Sequence, residues 1–67
     1  MRSYNVDIDL FDSVVHKEYR LIQRFFDIRA AEEFKERFKE MRIKILNDTA
    51  TKDELLEVAE LFKRNLK

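Results

Sequence analysis

The residues best placed for chemistry in this sequence are four basic side chains, His16, Lys17, Arg20 and Arg24. On a helix their spacing forms one stripe, and on a strand His16, Arg20 and Arg24 share one face. Cationic side chains in such a row can contact the phosphates of a nucleic acid. The row therefore gives an alternative function, a nucleic-acid-binding regulator that uses a basic patch on residues 16–24.

The acidic residues just before this row bear on two possible functions, metal binding and nucleic-acid binding. Asp7, Asp9 and Asp12 can share a hard cation such as Mg²⁺ if two of them lie on one strand face. No calcium-loop spacing accompanies them, and the chain has no glycine for the turn of such a loop. On a DNA-binding ribbon, Asn5, Asp7 and Asp9 would face the phosphates and repel them. We expect a solvated face and no metal.

No arrangement typical of an enzyme active site is present in the sequence. His16 can act as a general base or a pH switch, but no serine or cysteine nucleophile is arranged with it. Acidic pairs such as Glu32–Glu33 and Glu36–Glu40 lie in a charge-rich segment, where they solvate a helix surface. We therefore expect no enzyme activity, no catalytic or cofactor-binding residue, no cofactor and no small-molecule substrate.

The composition narrows the class of molecule further. Charged residues make up 42% of the 67 residues, against about 25% in ordinary domains. Fourteen acidic and fourteen basic residues cancel, so the chain is not a general polyanion binder. Glycine, proline and cysteine are absent, although average usage predicts about five glycines and about three prolines. An engineered scaffold without biological activity explains that absence, and so does a skewed viral or bacterial composition.

The length of 67 residues predicts a single domain covering residues 1–67, and its apolar residues predict where that domain is located. No apolar run approaches the length of about 18 residues that a membrane span requires. The first residues lack the apolar segment of a secretory signal. The polar faces of the predicted helices mix both signs of charge, and membrane-surface helices are instead basic. We expect a cytoplasmic protein with no membrane role.

The clearest regular element is an amphipathic helix over residues 29–46. Its apolar side chains fall within an arc of roughly 100° when the sequence is stepped at the helical period; they are Ala30, Ala31, Phe34, Phe38, Met41 and Ile45. Asp27 can cap its start. Residues 42–46 can alternatively form a third strand, since Ile43 and Ile45 alternate with charged residues.

A turn and a second helix follow the central helix. Residues 47–50 read as the turn, and Asn47 is the residue we expect in the left-handed conformation that often ends a helix. Thr51 and Glu54 match a capping box, in which each side chain accepts a hydrogen bond from the other residue's amide. The last helix is predicted to run to about residue 66 with an apolar stripe of Leu55, Val58, Ala59, Phe62 and Leu66.

The N-terminal third is ambiguous between strand and helix. Residues 4–11 alternate apolar and polar side chains, which predicts a strand. Residues 14–26 fit either a second strand or a helix with an apolar arc of about 160°. We favour the strand, because the apolar face of a helix there jumps by about 140° near Asp27, where neither Gly nor Pro marks a break. The first strand also needs a hydrogen-bonding partner.

These elements predict a small α+β domain of two layers, with an N-terminal β-hairpin under an antiparallel helix pair (ββαα). The alternatives are one N-terminal strand followed by three helices, or ββαβα with a third strand at 42–46. A two-stranded sheet is marginal alone, so we expect its edge or its outer face, with Phe11, Val14 and Ile22 as interface residues, to bind a second copy. The leading function is a non-enzymatic protein-interaction module that forms a homodimer or binds another protein.

Overall fold

The computed structural model describes residues 6–65 and shows three α-helices. They are α1 (Ile8–Phe25), α2 (Ile28–Leu46) and α3 (Lys52–Asn65). No strand occurs within residues 6–65. The fold is therefore all-α, and the predicted α+β class is wrong for this part of the chain, as is the ββαβα alternative.

Helix α1 replaces the predicted hairpin. Asp7 caps its start, because the carboxylate of Asp7 accepts a hydrogen bond from the Leu10 amide at 3.1 Å. The apolar side chains of Phe11 and Val14 are buried, and Val15, one residue on, packs against the same core. Their spacing follows the helical period, which continues through residues 18 and 22. Residues 4 and 5 of the predicted first strand lie outside the described part of the chain.

The hairpin prediction failed because the alternation in residues 6–11 also fits a helix that begins at residue 8. A helix satisfies its own backbone hydrogen bonds, whereas two isolated strands leave both edges open. In the helix, Phe11 and Val14 face the same core at three-residue spacing, while Val6, Ile8 and Leu10 pack around it. The alternative with one strand and three helices was nearest, since its helix at 14–26 lies almost entirely inside α1.

The junction between α1 and α2 is made without glycine or proline. The Phe26 amide donates to the carbonyl oxygen of Ile22 at 2.9 Å and closes α1. Asp27 is extended, and its side chain accepts from the Ala30 amide at 2.7 Å, which confirms the predicted N-cap of α2. The jump in apolar phase near Asp27 is therefore a break between two helices.

Helix α2 confirms the predicted helix at 29–46 and excludes the third strand at 42–46. Ile45 is buried and continues the helical stripe to the last turn. The predicted role of Asn47 is wrong, because Asn47 has φ −90° and Asp48 instead takes the left-handed value of 59°. The turn places the Thr49 amide 2.8 Å from the Lys44 carbonyl oxygen, which it donates to.

Helix α3 begins with the predicted capping box. The Thr51 amide donates to Glu54 at 2.8 Å, and the Glu54 amide donates to the Thr51 hydroxyl at 3.2 Å. Glu54 also binds the ammonium group of Lys44 at 2.6 Å. The hydrogen bond from Lys44 and those from Thr51 hold the pKa of Glu54 below its ordinary value. One carboxylate therefore caps α3 and joins it to the end of α2.

The core lies where the three helices meet. Phe11 is at its centre, with its ring centroid 6.2 Å from that of Phe38 and 6.5 Å from that of Phe62. The core residues that are buried in one cluster are Phe11, Val14, Phe38, Met41, Ile45, Val58 and Leu61. All seven come from the first half of α1, the second half of α2 or α3. This distribution leaves the junction end of the molecule outside the core.

Candidate functional site

The most unusual surface of the molecule is at the α1–α2 junction. Four apolar side chains are exposed there, Leu21 by 39%, Phe25 by 68%, Phe26 by 79% and Ile28 by 55%. We call these four residues the hairpin tip, after the helical hairpin that α1 and α2 form. Single exposed apolar residues are ordinary on soluble proteins, but a group of them, aromatic ones above all, marks a site of interaction.

The hairpin tip is exposed because α1 and α2 extend past the described end of α3. The Asn65 side chain donates to Glu18 at 3.3 Å, and the Lys17 ammonium group donates to the Asn65 carbonyl oxygen at 3.4 Å. Helix α1 then continues to Phe25, a distance of about 10 Å at the helical rise. The molecule is correspondingly elongated, with extents of 39 × 24 × 19 Å.

Arginine side chains border the hairpin tip. Arg20 and Arg24 are exposed on the last turns of α1, and Arg29 is exposed on the first turn of α2. The guanidinium carbon of Arg24 lies 5.6 Å from the centroid of the Phe25 ring, within reach of a cation–π interaction. The carboxylate of Asp27 is occupied as a helix cap. The tip is therefore an apolar surface with three arginines at its border, and Asp27 is the acidic group among them.

The structure places the four candidate phosphate contacts on one exposed face of α1. His16, Lys17, Arg20 and Arg24 are all exposed, as expected for the helical alternative. Lys17, Arg20 and Arg24 line an open depression with Leu21 and Gln23. Two of the four, Arg20 and Arg24, thus belong to the border of the hairpin tip.

The predicted interface residues lie elsewhere. Phe11 and Val14 are core residues, exposed by only 1% and 3%, and Ile22 is half-buried. The surface predicted from them depended on the hairpin and does not exist in this fold. The sequence does carry a signal for the tip, because residues 25–28 read Phe-Phe-Asp-Ile across a helix break. Three apolar residues around a capping aspartate at a helix break are the sequence pattern that corresponds to the tip.

The structure of residues 6–65 also bears on metal binding and on membrane insertion. No group of three or more His, Asp or Glu side chains is close enough together there to hold a metal ion. In the same residues, no helix is both long and apolar enough to cross a membrane.

Comparison with known proteins gives a family for the whole chain. Residues 1–67 match the family model described as RIIA.1-like protein. A relative from Enterobacteria phage T4, named "Uncharacterized 8.1 kDa protein in rIIA-Gp60 intergenic region", is 68% identical over 66 residues. The match covers 98% of this chain and 98% of the relative. No solved structure matches. A phage protein of such similarity shows that this sequence has a natural counterpart, which the engineered-scaffold hypothesis did not predict.

Proposed function

The chain belongs to the RIIA.1-like protein family, and we propose that it is a small, non-enzymatic protein-interaction module that binds another protein through the hairpin tip. The observation that carries the proposal is the exposure of Phe25 and Phe26, at 68% and 79%, at one end of the molecule. Aromatic anchors surrounded by charged groups are the usual energetic centre of a protein interface. The arginines around the tip supply such a border.

The tip residues contribute little to the fold, so their apolar character calls for another explanation. Full burial of one such side chain is worth about 1.5–3 kcal/mol, and Phe25, Phe26 and Ile28 leave most of that gain unrealised. Association itself costs on the order of 4–15 kcal/mol. Three anchors therefore need a partner pocket that buries them well, together with charged contacts around it.

The arginine border favours a partner other than a second copy. A symmetric dimer brings the same patch of both copies together. Contact between two hairpin tips would then bring Arg20, Arg24 and Arg29 of one copy close to their equivalents, and like charges repel. The homodimer expected from the sequence relied on open sheet edges, and residues 6–65 form no sheet. An apolar pocket with an acidic rim on another protein complements the tip better.

We do not advance nucleic-acid binding as a second function. Lys17 donates to the Asn65 carbonyl oxygen, and Arg24 lies over the Phe25 ring. Both cations stay exposed, but the chain as a whole is neutral, which disfavours general binding of a polyanion such as a nucleic acid.

The test compares two surfaces that expose similar apolar side chains. In the Phe25→Ser/Phe26→Ser variant we expect loss of binding to a partner protein. Ile43→Ser/Leu56→Ser is the matched control, because these residues are exposed by 54% and 55% on α2 and α3, away from the tip. Proteins retained by the immobilised wild-type chain from cells that produce it are quantified against both variants. Each candidate is then purified, and its Kd is measured by titration calorimetry.

A supporting result is a purified partner whose affinity falls about tenfold or more, roughly 1.4 kcal/mol, in the tip variant alone. The proposal is contradicted if every retained protein binds the tip variant as well as the wild type. The remaining possibility is that the partner is a second copy of the chain. Light scattering tests it: a dimer that the wild type forms and the tip variant does not form identifies a second copy as the partner.

A further inference from the structure

A second surface lies between α1 and α2, apart from the hairpin tip. It is a groove of about 320 Å³ lined by residues of these two helices alone. We call it the basic groove; its lining residues are Phe11, Asp12, Val15, His16, Tyr19, Lys35, Phe38, Lys39 and Arg42. Helix α3 is joined to the α1–α2 pair by other residues, through the ion pairs Arg37–Glu57 and Arg64–Glu18.

The floor of the basic groove is apolar. The buried core residues Phe11 and Phe38 form part of the lining, and the half-buried Val15 adds accessible apolar surface beside them. The lining residues recur every three or four positions, at 12, 15, 16 and 19 on α1 and at 35, 38, 39 and 42 on α2. Such spacing keeps them in two rows along the helices for about two turns.

The rim of the basic groove is cationic. Arg42 donates to both carboxylate oxygens of Asp12, at 2.8 and 3.2 Å, so the acidic residue of the lining is neutralised. Lys35 and Lys39 then make the lining net positive, and Glu32, which accepts a hydrogen bond from the Tyr19 hydroxyl at 2.6 Å, is the acidic group beside it. The Lys35 ammonium group lies 5.4 Å from the centroid of the Tyr19 ring, which holds this charge at the edge of the groove. The chain as a whole is neutral, so the excess charge is a local property of the groove.

We propose that the basic groove binds an acidic amphipathic helix of a partner protein. Helix-in-groove recognition places apolar residues at positions i, i+3 or i+4, and i+7 of the ligand on an apolar floor. In this chain the floor is formed by Val15 and Phe38, and glutamate or aspartate residues beside the apolar stripe pair with Lys35 and Lys39. An extended peptide fits less well, because two helices offer no strand edge for it to pair with.

The basic groove and the hairpin tip share no residue, so this proposal does not depend on the function proposed for the tip. The Phe25→Ser/Phe26→Ser variant is expected to bind a groove ligand with unchanged affinity. Failure of one proposal therefore leaves the other intact.

The probe is a synthetic helical peptide of about 14 residues with a leucine stripe and glutamate on both flanks. Isotope-labelled wild-type protein is titrated with it at low salt, and amide chemical shifts are recorded. We expect shift changes concentrated in the groove rows of α1 and α2. A Lys35→Glu/Lys39→Glu variant should bind the peptide at least about tenfold more weakly.

Two controls separate specific recognition from general attraction of acidic molecules. Lys52→Glu/Lys63→Glu makes the same change in net charge on the exposed surface of α3, and it should leave the peptide affinity within about twofold. A matched peptide with lysine flanks should bind the Lys35→Glu/Lys39→Glu variant better than the wild type.

Three results would overturn the proposal. The first is equal binding of glutamate-flanked and lysine-flanked peptides to the wild-type protein. The second is an equal loss of affinity in the α3 control. The third is binding of an anionic lipid vesicle or a DNA duplex that matches the acidic peptide in strength and is lost in the same groove variant.

Discussion

Phe11 and Phe25 lie on the same helix and on nearly the same face, yet their surroundings are opposite. Fourteen positions separate them, which leaves their side chains about 40° apart around α1. Phe11 is exposed by 1% and Phe25 by 68%. The difference arises because α2 and α3 both reach Phe11, whereas the described part of α3 ends beside Glu18. The helix face alone therefore does not determine burial. A neighbouring helix must also extend far enough along α1 to cover the residue.

Truncation of Phe11 should lower the free energy of unfolding more than any other change considered for these two regions. Phe11→Ala leaves a cavity beside Phe38 and Phe62 and should cost about 3–5 kcal/mol of unfolding free energy. The whole chain is expected to have only about 3–10 kcal/mol, at the usual stability per residue. Urea unfolding followed by circular dichroism measures the loss.

Phe25→Ala is the matched control for this measurement, and it should change the free energy of unfolding by no more than about 0.5 kcal/mol. If Phe11→Ala does not fold at all, Phe11→Leu provides a milder probe of the same position. Equal costs for the two alanine variants would show that the tip is part of the core.

A smaller effect is expected at Asp27, which lies between α1 and α2 and caps the start of α2. Asp27→Ala removes the acceptor of the Ala30 amide hydrogen bond of 2.7 Å and should cost about 0.5–2 kcal/mol. Thermal unfolding measures the cost, and hydrogen exchange of the Ala30 amide reports the lost cap directly. Asp27→Asn keeps the acceptor and should remain close to the wild type. If Asp27→Asn lowers the stability as much as Asp27→Ala does, the effect is due to the lost charge and not to the lost hydrogen bond.

The smallest effect is expected for Glu54, whose ion pair with Lys44 joins the start of α3 to the end of α2, away from the hairpin tip. Lys44, and then Thr51, lower the pKa of Glu54 from its ordinary 4.5. A carboxylate with a lowered pKa in the folded state stabilises the fold above its ordinary pKa, and that stabilisation disappears as pH falls through the folded value. The wild type should therefore exceed Glu54→Gln in Tm at neutral pH, and the difference should shrink on acidification.

Glu60→Gln, an exposed change on the same helix, is the control for the Glu54 experiment. Its Tm should follow that of the wild type across the same pH series. A Glu54→Gln difference that stays constant with pH would mean that the ion pair with Lys44 does not contribute to stability.

The elements predicted correctly from the sequence are those whose evidence is local. Helix α2 has one unbroken apolar stripe, and the Thr51–Glu54 box and the Asp27 cap each depend on residues three positions apart. Hydrogen bonds between a side chain and the backbone within such short segments form in any fold that contains the helix. These predictions needed no knowledge of what packs against them.

The candidate site was not predictable in the same way. Residues 6–11 fit both the strand period and the helical period, and the strand interpretation placed Phe11 and Val14 on an outer surface. In the structure both are buried, while the apolar residues at positions 25, 26 and 28 are exposed. Neither outcome follows from apolar character, because the two groups contain the same kinds of side chain.

The course of α2 and the caps of α2 and α3 follow from the sequence alone, because hydrogen bonds and periodicity within a few turns specify them. The charge balance follows from the composition. Only the tertiary structure decided that α1 is a helix from Ile8 and which of its phenylalanines is covered. Burial depends on residues distant in the chain, such as Phe38 and Phe62 around Phe11. It also depends on how far the described part of α3 extends along the α1–α2 pair, which leaves the hairpin tip exposed.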